Sequence, residues 1–127
     1  MSVSRNIVRD LGLLQMQILW ILSKREAHGY FLMELLSRIK NSPVTQGTLY
    51  PALSKLERQR LVAFRKEGTR GKKLFHLTAK GKAIADETCR EFISTYQGIF
   101  YDFTCSSCKG HSHAPIRPII IEKQSLK

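Results

Sequence analysis

Acidic side chains are scarce in this 127-residue chain. Asp and Glu together number 10 against 21 Lys and Arg, so the formal net charge is +11. No apolar run is long enough to span a membrane or to form a signal-peptide core ahead of a cleavage site. The three cysteines form an odd count, which argues against a disulfide framework. We therefore expect a soluble, cytoplasmic protein with reduced thiols, an anionic partner and no membrane association.

The chain also lacks the residue groupings of an enzyme. His28 and His76 stand apart from any nucleophile, and no glycine-rich phosphate loop occurs. The length and the 43% apolar content suit a single hydrophobic core. These features indicate a binding protein of about one domain and not an enzyme.

The excess positive charge lies in the first two thirds of the chain. Residues 1–80 contain 15 basic and 5 acidic side chains, whereas residues 81–127 contain 6 and 5. The stretch 55–73 alone holds eight basic residues. Such a run suits the phosphates of double-stranded DNA, although a solvated basic surface has the same composition.

Hydrophobic periodicity predicts three helices and then a hairpin. The first helix covers residues 11–22 and is apolar on nearly every side, and the second covers residues 28–40. The third follows Thr45 as N-cap and ends near Gln59, with Pro51 expected to loosen or kink its early turns. Alternating patterns at 61–66 and 73–77 predict two strands joined by an exposed tip.

A long fourth helix is predicted from Ala79, capped by Thr78, to about Phe103. Its apolar stripe is longer than a small core can cover, so we predict that a second copy of the chain packs against it. The alternative is that the stripe folds back on the first helix. The residues assigned to this homodimer interface are Ile84, Phe92, Ile93, Tyr96, Ile99, Phe100 and Phe103.

The order of the elements is that of a winged helix-turn-helix with an appended dimerisation helix, a mainly α class with a small β-hairpin. We expect residues 1–80 to form the winged-helix DNA-binding domain and 81–104 the dimerisation helix. Residues 105–127 would then form a C-terminal tail that contains Cys and His. In such domains the third helix enters the major groove, and the wing lies along neighbouring phosphates.

Three blocks of sequence resemble the PadR family of transcriptional regulators. They are ILWILSKREAHGY at 18–30, VTQGTLYPALSKLERQRLV at 44–62 and FHLTAKGK at 75–82. The resemblance spans about residues 11–100. It implies a homodimeric repressor that binds an inverted repeat in double-stranded DNA and is released by a small molecule or another signal. Arg60 departs from the pattern, because the family often has a glycine there to close the recognition helix.

The expected DNA-binding residues lie on the third helix and the wing. Gly47 has no Cβ, which would let the backbone approach DNA closely. Tyr50 has two interpretations, contact with DNA or packing over the core. A winged-helix adaptor that binds protein without specific DNA binding is the alternative function. The residues assigned to DNA are Gln46, Gly47, Thr48, Tyr50, Ser54, Lys55, Arg58, Arg65, Arg70, Lys72 and Lys73.

Three aromatic residues are candidates for a small-molecule effector pocket. Trp20 lies in the apolar first helix, and Tyr96 and Phe100 lie on the long helix. Trp20 also fits an ordinary core position. Similar regulators stack flat ligands on aromatic residues at the dimer interface, which suggests the same use for these three.

A short Cys/His cluster follows the long helix. Cys105, Cys108, His111 and His113 lie within nine residues, and two thiolates with two imidazoles form a tetrahedral donor set that suits zinc. A redox-sensitive pair of Cys105 and Cys108 and a tail without a role remain alternatives.

The zinc hypothesis predicts stoichiometric zinc in the purified full chain and none in the double variant Cys105→Ser/Cys108→Ser, because two of the four ligands are then lost. Elemental analysis of both proteins measures this. Equal zinc in the two proteins would reject the cluster as the site.

Overall fold

The computed structural model describes residues 11–105, which form four helices and a three-stranded antiparallel sheet. This is the mainly α class with a small sheet that the sequence predicts. In chain order the elements are α1 (Leu13–Lys24), β1 (Ala27–His28), α2 (Gly29–Lys40), α3 (Gln46–Arg58), β2 (Val62–Glu67), β3 (Lys72–Leu77) and α4 (Ala79–Cys105).

The strand β1 is a correction to the predicted two-stranded hairpin. The sheet order is β1-β3-β2, and Ala27 and His28 pair with Phe75 and Leu74 of β3. Two residues are too few to show an alternating pattern, so the sequence indicates only a polar break here. His28 therefore ends a strand and forms the N-cap of α2, whereas the hydrophobic periodicity predicts it as the first residue of that helix.

The helix α1 is displaced by two residues from its predicted bounds of 11–22. It begins after Gly12, whose backbone N–H donates to the side-chain oxygen of Gln15 at 2.6 Å. The glutamine thereby satisfies one of the amide groups that have no partner within the first turn. At the other end the helix continues through Ser23 and Lys24.

One hydrophobic core holds the helices against one face of the sheet. The helix α3 contributes Leu49, Ala52, Leu53 and Leu56, the four residues predicted to face inward. Pro51 is exposed on the opposite side and does not interrupt the helix. The core also contains Ile18, Leu19, Ile21, Leu22, Leu32, Leu35, Leu36, Leu61, Val62, Phe75, Leu77, Ile84 and Ala85.

The end of α3 is closed by a residue in the left-handed region. Arg60 has φ 62°, and the backbone N–H of Leu61 donates to the carbonyl of Leu56 at 3.0 Å. The N–H of Arg60 donates to Glu57 at 2.9 Å, which completes a Schellman motif. Leu56 and Leu61 are both fully buried and supply its hydrophobic contact. The position therefore has the conformation that glycine adopts most readily, although arginine occupies it.

The start of α4 is bonded to this same turn. The Thr78 hydroxyl donates to the carbonyl of Arg60 at 2.6 Å and accepts from the N–H of Gly81 at 2.9 Å, so it is the cap that the sequence predicts. The Thr78 N–H donates to the carbonyl of Leu61 at 3.0 Å. A Cβ on Gly81 would lie 1.9 Å from that Leu61 oxygen. The two backbones therefore approach closely only because residue 81 is glycine.

None of the helices within residues 11–105 combines the length and the apolar character needed to cross a bilayer.

We expect Gly81→Ala to lower the free energy of unfolding by about 1–3 kcal/mol, because the added methyl group overlaps a backbone oxygen and the two segments must separate. Urea denaturation followed by circular dichroism measures the change.

The matched control is Gly98→Ala, since Gly98 also lies in α4 but has open space around its Cα. This substitution should raise stability by up to about 1 kcal/mol through helix propensity alone. Equal effects at the two positions would contradict the close approach at Gly81.

Candidate nucleic-acid interface

The exposed side of α3 carries most of the residues predicted to contact DNA. The buried leucines on the other side fix which way the helix faces. Lys55 is half-buried, with its ammonium group on a long flexible stem. The exposed members of the predicted set on this helix are Gln46, Gly47, Thr48, Tyr50, Ser54 and Arg58.

Tyr50 packs across the first residue of α2. A Cβ built on Gly29 would lie 2.5 Å from the Tyr50 hydroxyl oxygen and 3.1 Å from the adjoining ring carbon. Tyr50 is nonetheless 40% exposed. The Tyr50 side chain therefore packs against α2 and is also partly open to solvent. Gly29, in the His28-Gly29-Tyr30 motif, provides the space for its ring.

A cleft separates α3 from the wing, the hairpin of β2 and β3. It has a volume of about 650 Å³ and combines the cations Lys72 and Lys73 with aromatic surface. The hydrogen bond between Tyr30 and Glu34 raises the pKa of the Tyr30 phenol, so this ring stays neutral at physiological pH. The cleft is lined by His28, Gly29, Tyr30, Phe31, Glu34, Tyr50, Lys72, Lys73 and Phe75.

Sequence reasoning missed His28, Tyr30 and Glu34 as residues of this surface. The signal was present, because His28 and Tyr30 belong to one of the motifs behind the resemblance. The motif by itself indicates only the start of a helix, because no neighbouring residue in the sequence shows that the first turn of α2 borders both α3 and the wing.

The wing presents its cations on two different faces. Val62, Phe75 and Leu77 belong to the core beside the leucines of α3, so their face of the sheet covers the helices. Lys73 alternates onto that same face, where its ammonium lies 4.3 Å from the centre of the Phe64 ring. Arg65 and Lys72 alternate onto the opposite face, where Lys72 is paired with Glu67.

Arg65 lies in an ion pair, and its assignment as a DNA contact stays a prediction. Its guanidinium donates two hydrogen bonds to the Glu26 carboxylate, at 2.7 and 3.2 Å. These bonds lower the pKa of Glu26 and raise that of Arg65. Because its charge is compensated by Glu26, Arg65 does not form part of the cationic cleft.

The wing tip is a tight turn that leaves Arg70 and Lys72 exposed. Gly68 and Gly71 have φ values of 77° and 64°, which favour glycine. The N–H of Gly71 donates to the carbonyl of Gly68 at 3.2 Å.

The helix α4 divides into a packed half and an exposed half. Ile84 and Ala85 lie in the core of the same chain and Thr88 is 6% exposed. Ile84 is therefore a correction, because a side chain that is only 3% exposed has no surface left for a second chain. Cys89 lies between the two halves, and burial raises the pKa of its thiol. It is therefore a weakly reactive thiol.

The exposed half retains the remainder of the predicted interface. Phe92 is half-buried, and its ring lies 4.8 Å from that of Tyr96 and 5.9 Å from that of Phe100. The large exposed side chains of the stripe are Ile93 at 53%, Tyr96 at 40%, Ile99 at 54%, Phe100 at 40% and Phe103 at 72%.

The three aromatic residues predicted for an effector pocket do not lie together. Trp20 packs against the core, whereas Tyr96 and Phe100 lie in the exposed half of α4. Tyr96 borders a smaller cleft of about 180 Å³ between the start of α1 and α4. Within residues 11–105, the lining of that cleft contains neither Trp20 nor Phe100; it consists of Leu11, Gly12, Leu13, Met16, Thr88, Glu91, Phe92, Thr95 and Tyr96.

The zinc cluster falls at the edge of the described part of the chain. Cys105 is the last residue of α4. The side chain of Cys105 and the residues Cys108, His111 and His113 lie outside what the structure describes.

A family model and a characterised relative match this chain. The model of the Transcriptional regulator PadR-like family matches residues 18–87. The chain is 36% identical over 78 residues to Transcriptional regulator YqjI of Escherichia coli strain K12, a match that covers 60% of this chain. The same match covers only 37% of that relative, so the chain spans well under half of its length.

Solved structures show the same fold. A complex of the RosR protein of H. salinarum superposes with a TM-score of 0.66 at 23% identity, over 82% of this chain and 98% of that one. A PadR family transcription regulator from Clostridium difficile R20291 gives a TM-score of 0.59 at 23% identity, over 73% and 99%. The predicted winged-helix architecture and the resemblance are both confirmed.

Proposed function

Because the chain belongs to the PadR-like family of transcriptional regulators, a family of DNA-binding regulators, we propose that it acts as a homodimeric repressor on an inverted-repeat operator. Its role is then binding and not catalysis. Two copies would present two α3 helices to successive turns of the major groove, and a small-molecule, metal or redox signal would release the complex.

One observation carries the DNA-binding part of the proposal. Tyr50, on the exposed side of α3, lines the same cleft as the wing cations Lys72 and Lys73. A helix that offers hydrogen-bonding side chains to base edges, beside cations that reach the flanking phosphates, is the arrangement that sequence-specific recognition requires. The retained cations also disfavour the adaptor alternative.

The dimer part of the proposal rests on the exposed half of α4. Ile93, Ile99 and Phe103 are each more than half exposed, and they continue the helix beyond the part that packs on α1. A contiguous apolar surface of this kind is rare on a monomer unless a partner covers it. A second copy covers it with the same surface, as a two-fold axis requires.

The release step of the proposal acts through α4. Thr78 bonds the start of this helix to the end of α3, and Tyr96, which borders the smaller cleft, belongs to the proposed dimer surface. A ligand that changed the packing of α4 would alter the separation of the two α3 helices. The ligand site and the DNA-binding surface would then be coupled through the same conformational equilibrium.

We expect Lys72→Gln/Lys73→Gln to bind a random-sequence DNA duplex more weakly than the unaltered protein, with a shallower dependence on salt. Each lost phosphate contact should reduce the slope of log affinity against log salt concentration by about 0.9, because fewer counterions are released. Fluorescence anisotropy at several salt concentrations measures the slope.

The control removes the same charge elsewhere, in Lys24→Gln/Lys82→Gln, where both lysines are exposed and neither borders the cleft. Its slope should stay near that of the unaltered protein. Equal slopes for the two double variants would remove the wing lysines from the DNA contacts.

We expect Ile99→Asp to raise the dimer dissociation constant at least about tenfold, because association would have to desolvate a carboxylate. Sedimentation velocity over a concentration series measures it. Ser94→Asp adds the same group to the opposite side of the helix at 100° per residue and should leave the dimer intact. A monomeric unaltered chain at micromolar concentration would contradict the homodimer.

A further inference from the structure

Four charged or titratable side chains form a chain of contacts on the outer face of the sheet, which we call the wing clamp. It consists of Glu26, His28, Arg65 and Glu67. The Arg65 guanidinium bonds Glu26 at 2.7 Å and lies 3.9 Å from the Glu67 carboxylate. The other oxygen of that carboxylate lies 3.4 Å from Nε2 of His28. The clamp thus joins Glu26 and His28, at β1, to Arg65 and Glu67 in the second half of β2.

The strand register explains why these four side chains meet. Arg65 is paired with Leu74, and Leu74 is paired in turn with His28, so the three lie in one row across the sheet and share a face. Glu26 and Glu67 are two residues along their chains from His28 and Arg65, which places them on the same face. Leu74 is only 8% exposed although it lies outside the core cluster. The clamp side chains therefore surround a leucine that the core does not cover.

His28 ties the clamp to the backbone of the wing. Its Nδ1 lies 3.0 Å from the carbonyl of Lys73. A carbonyl only accepts, so a hydrogen bond here places a proton on Nδ1, and the contact of Nε2 with Glu67 is then an ion pair only in the imidazolium form. The contact holds β1 at the residue of β3 that carries one of the two cleft lysines. A shift of the wing would break this bond together with the Glu26–Arg65 pair.

We propose that Arg65 is a positioning residue, held by Glu26, which fixes the wing at the angle that brings Lys72 and Lys73 to the DNA backbone. The proposal rests on the DNA-binding function proposed above. It separates the wing cations into two classes, since the cleft lysines face the phosphates whereas Arg65 acts on DNA only through the orientation of the strands.

The sign of a charge change distinguishes this role from a phosphate contact. Glu26→Gln adds one positive charge to the protein, which by simple attraction strengthens binding to DNA. The substitution would also free Arg65 to bind a phosphate if that were its role. A positioning role predicts the opposite, because the wing loses its anchor.

We expect Glu26→Gln to weaken binding to a random-sequence duplex by about two- to fivefold, the upper part of the range for an exposed ion pair. Arg65→Gln should weaken it similarly and leave the salt slope unchanged, since no phosphate contact is lost. The matched control is Asp86→Asn, which makes the same charge change at an exposed i,i+4 pair with Arg90 on α4 and should not weaken binding.

The exchanged variant Glu26→Arg/Arg65→Glu is made together with Glu67→Gln, because Glu67 lies 3.9 Å from residue 65 and would repel a carboxylate there. It restores the pair with reversed polarity, so it should recover most of the affinity that either single variant loses in the same Glu67→Gln background. Recovery supports positioning, because a phosphate contact is not replaced by a carboxylate at residue 65. Thermal melting confirms that each variant is folded.

Three results would overturn the wing clamp. The first is an affinity of Glu26→Gln equal to or above that of Asp86→Asn, and the second is a salt slope reduced by Arg65→Gln. The third is an exchanged variant no better than the singles. Absence of salt-dependent DNA binding by the unaltered protein would instead reject the proposed function, and the clamp with it.

Discussion

The bonded junction between the end of α3 and the start of α4 is the constraint on which the rest of the structure depends. The carbonyls of Arg60 and Leu61 accept from Thr78, and that of Gln59 accepts from the ammonium of Lys80 at 3.2 Å. Gly81 allows the two backbones to approach closely. The junction therefore fixes the orientation of α3, which carries the exposed polar surface, relative to α4, which carries the exposed apolar surface. In the proposed homodimer, pairing of the apolar surfaces would set the distance between the two α3 helices, and that distance would determine the half-site spacing of the inverted repeat they bind.

The positive charges of the wing also differ in their surroundings. Lys72 and Lys73 line the cleft beside α3, whereas Arg65 lies outside that lining and is paired with Glu26. An excess of positive charge is thus not spread evenly over the surface. The paired charge of Arg65 contributes more to the position of the strands than to the attraction of DNA phosphates, because the Glu26 carboxylate cancels its field at long range.

Local patterns in the sequence predict those features whose causes are local. The buried side of α3 and the Thr78 cap both depend on residues within a few positions of one another. Features that depend on distant partners are missed. Glu26 and Arg65 are 39 positions apart, so nothing near Arg65 shows that its charge is compensated.

The remaining errors have equally specific causes. Ile84 was assigned to the dimer because the apolar period of α4 continues without a change from the packed half to the exposed half. Periodicity shows which side of a helix is apolar but not what covers it. The short strand β1 exists only because β3 pairs with it, and the space for the Tyr50 ring appears only when Gly29 is placed beside α3. Both depend on tertiary packing.

The most direct test of the account is selection of bound duplexes from a random-sequence pool, followed by the stoichiometry of the selected complex. The account predicts an inverted repeat whose half-site centres are about 10 base pairs, or a multiple of that, apart. Each duplex should bind two chains. Enrichment of a single unrepeated site that binds one chain, or no enrichment of any sequence, would contradict it.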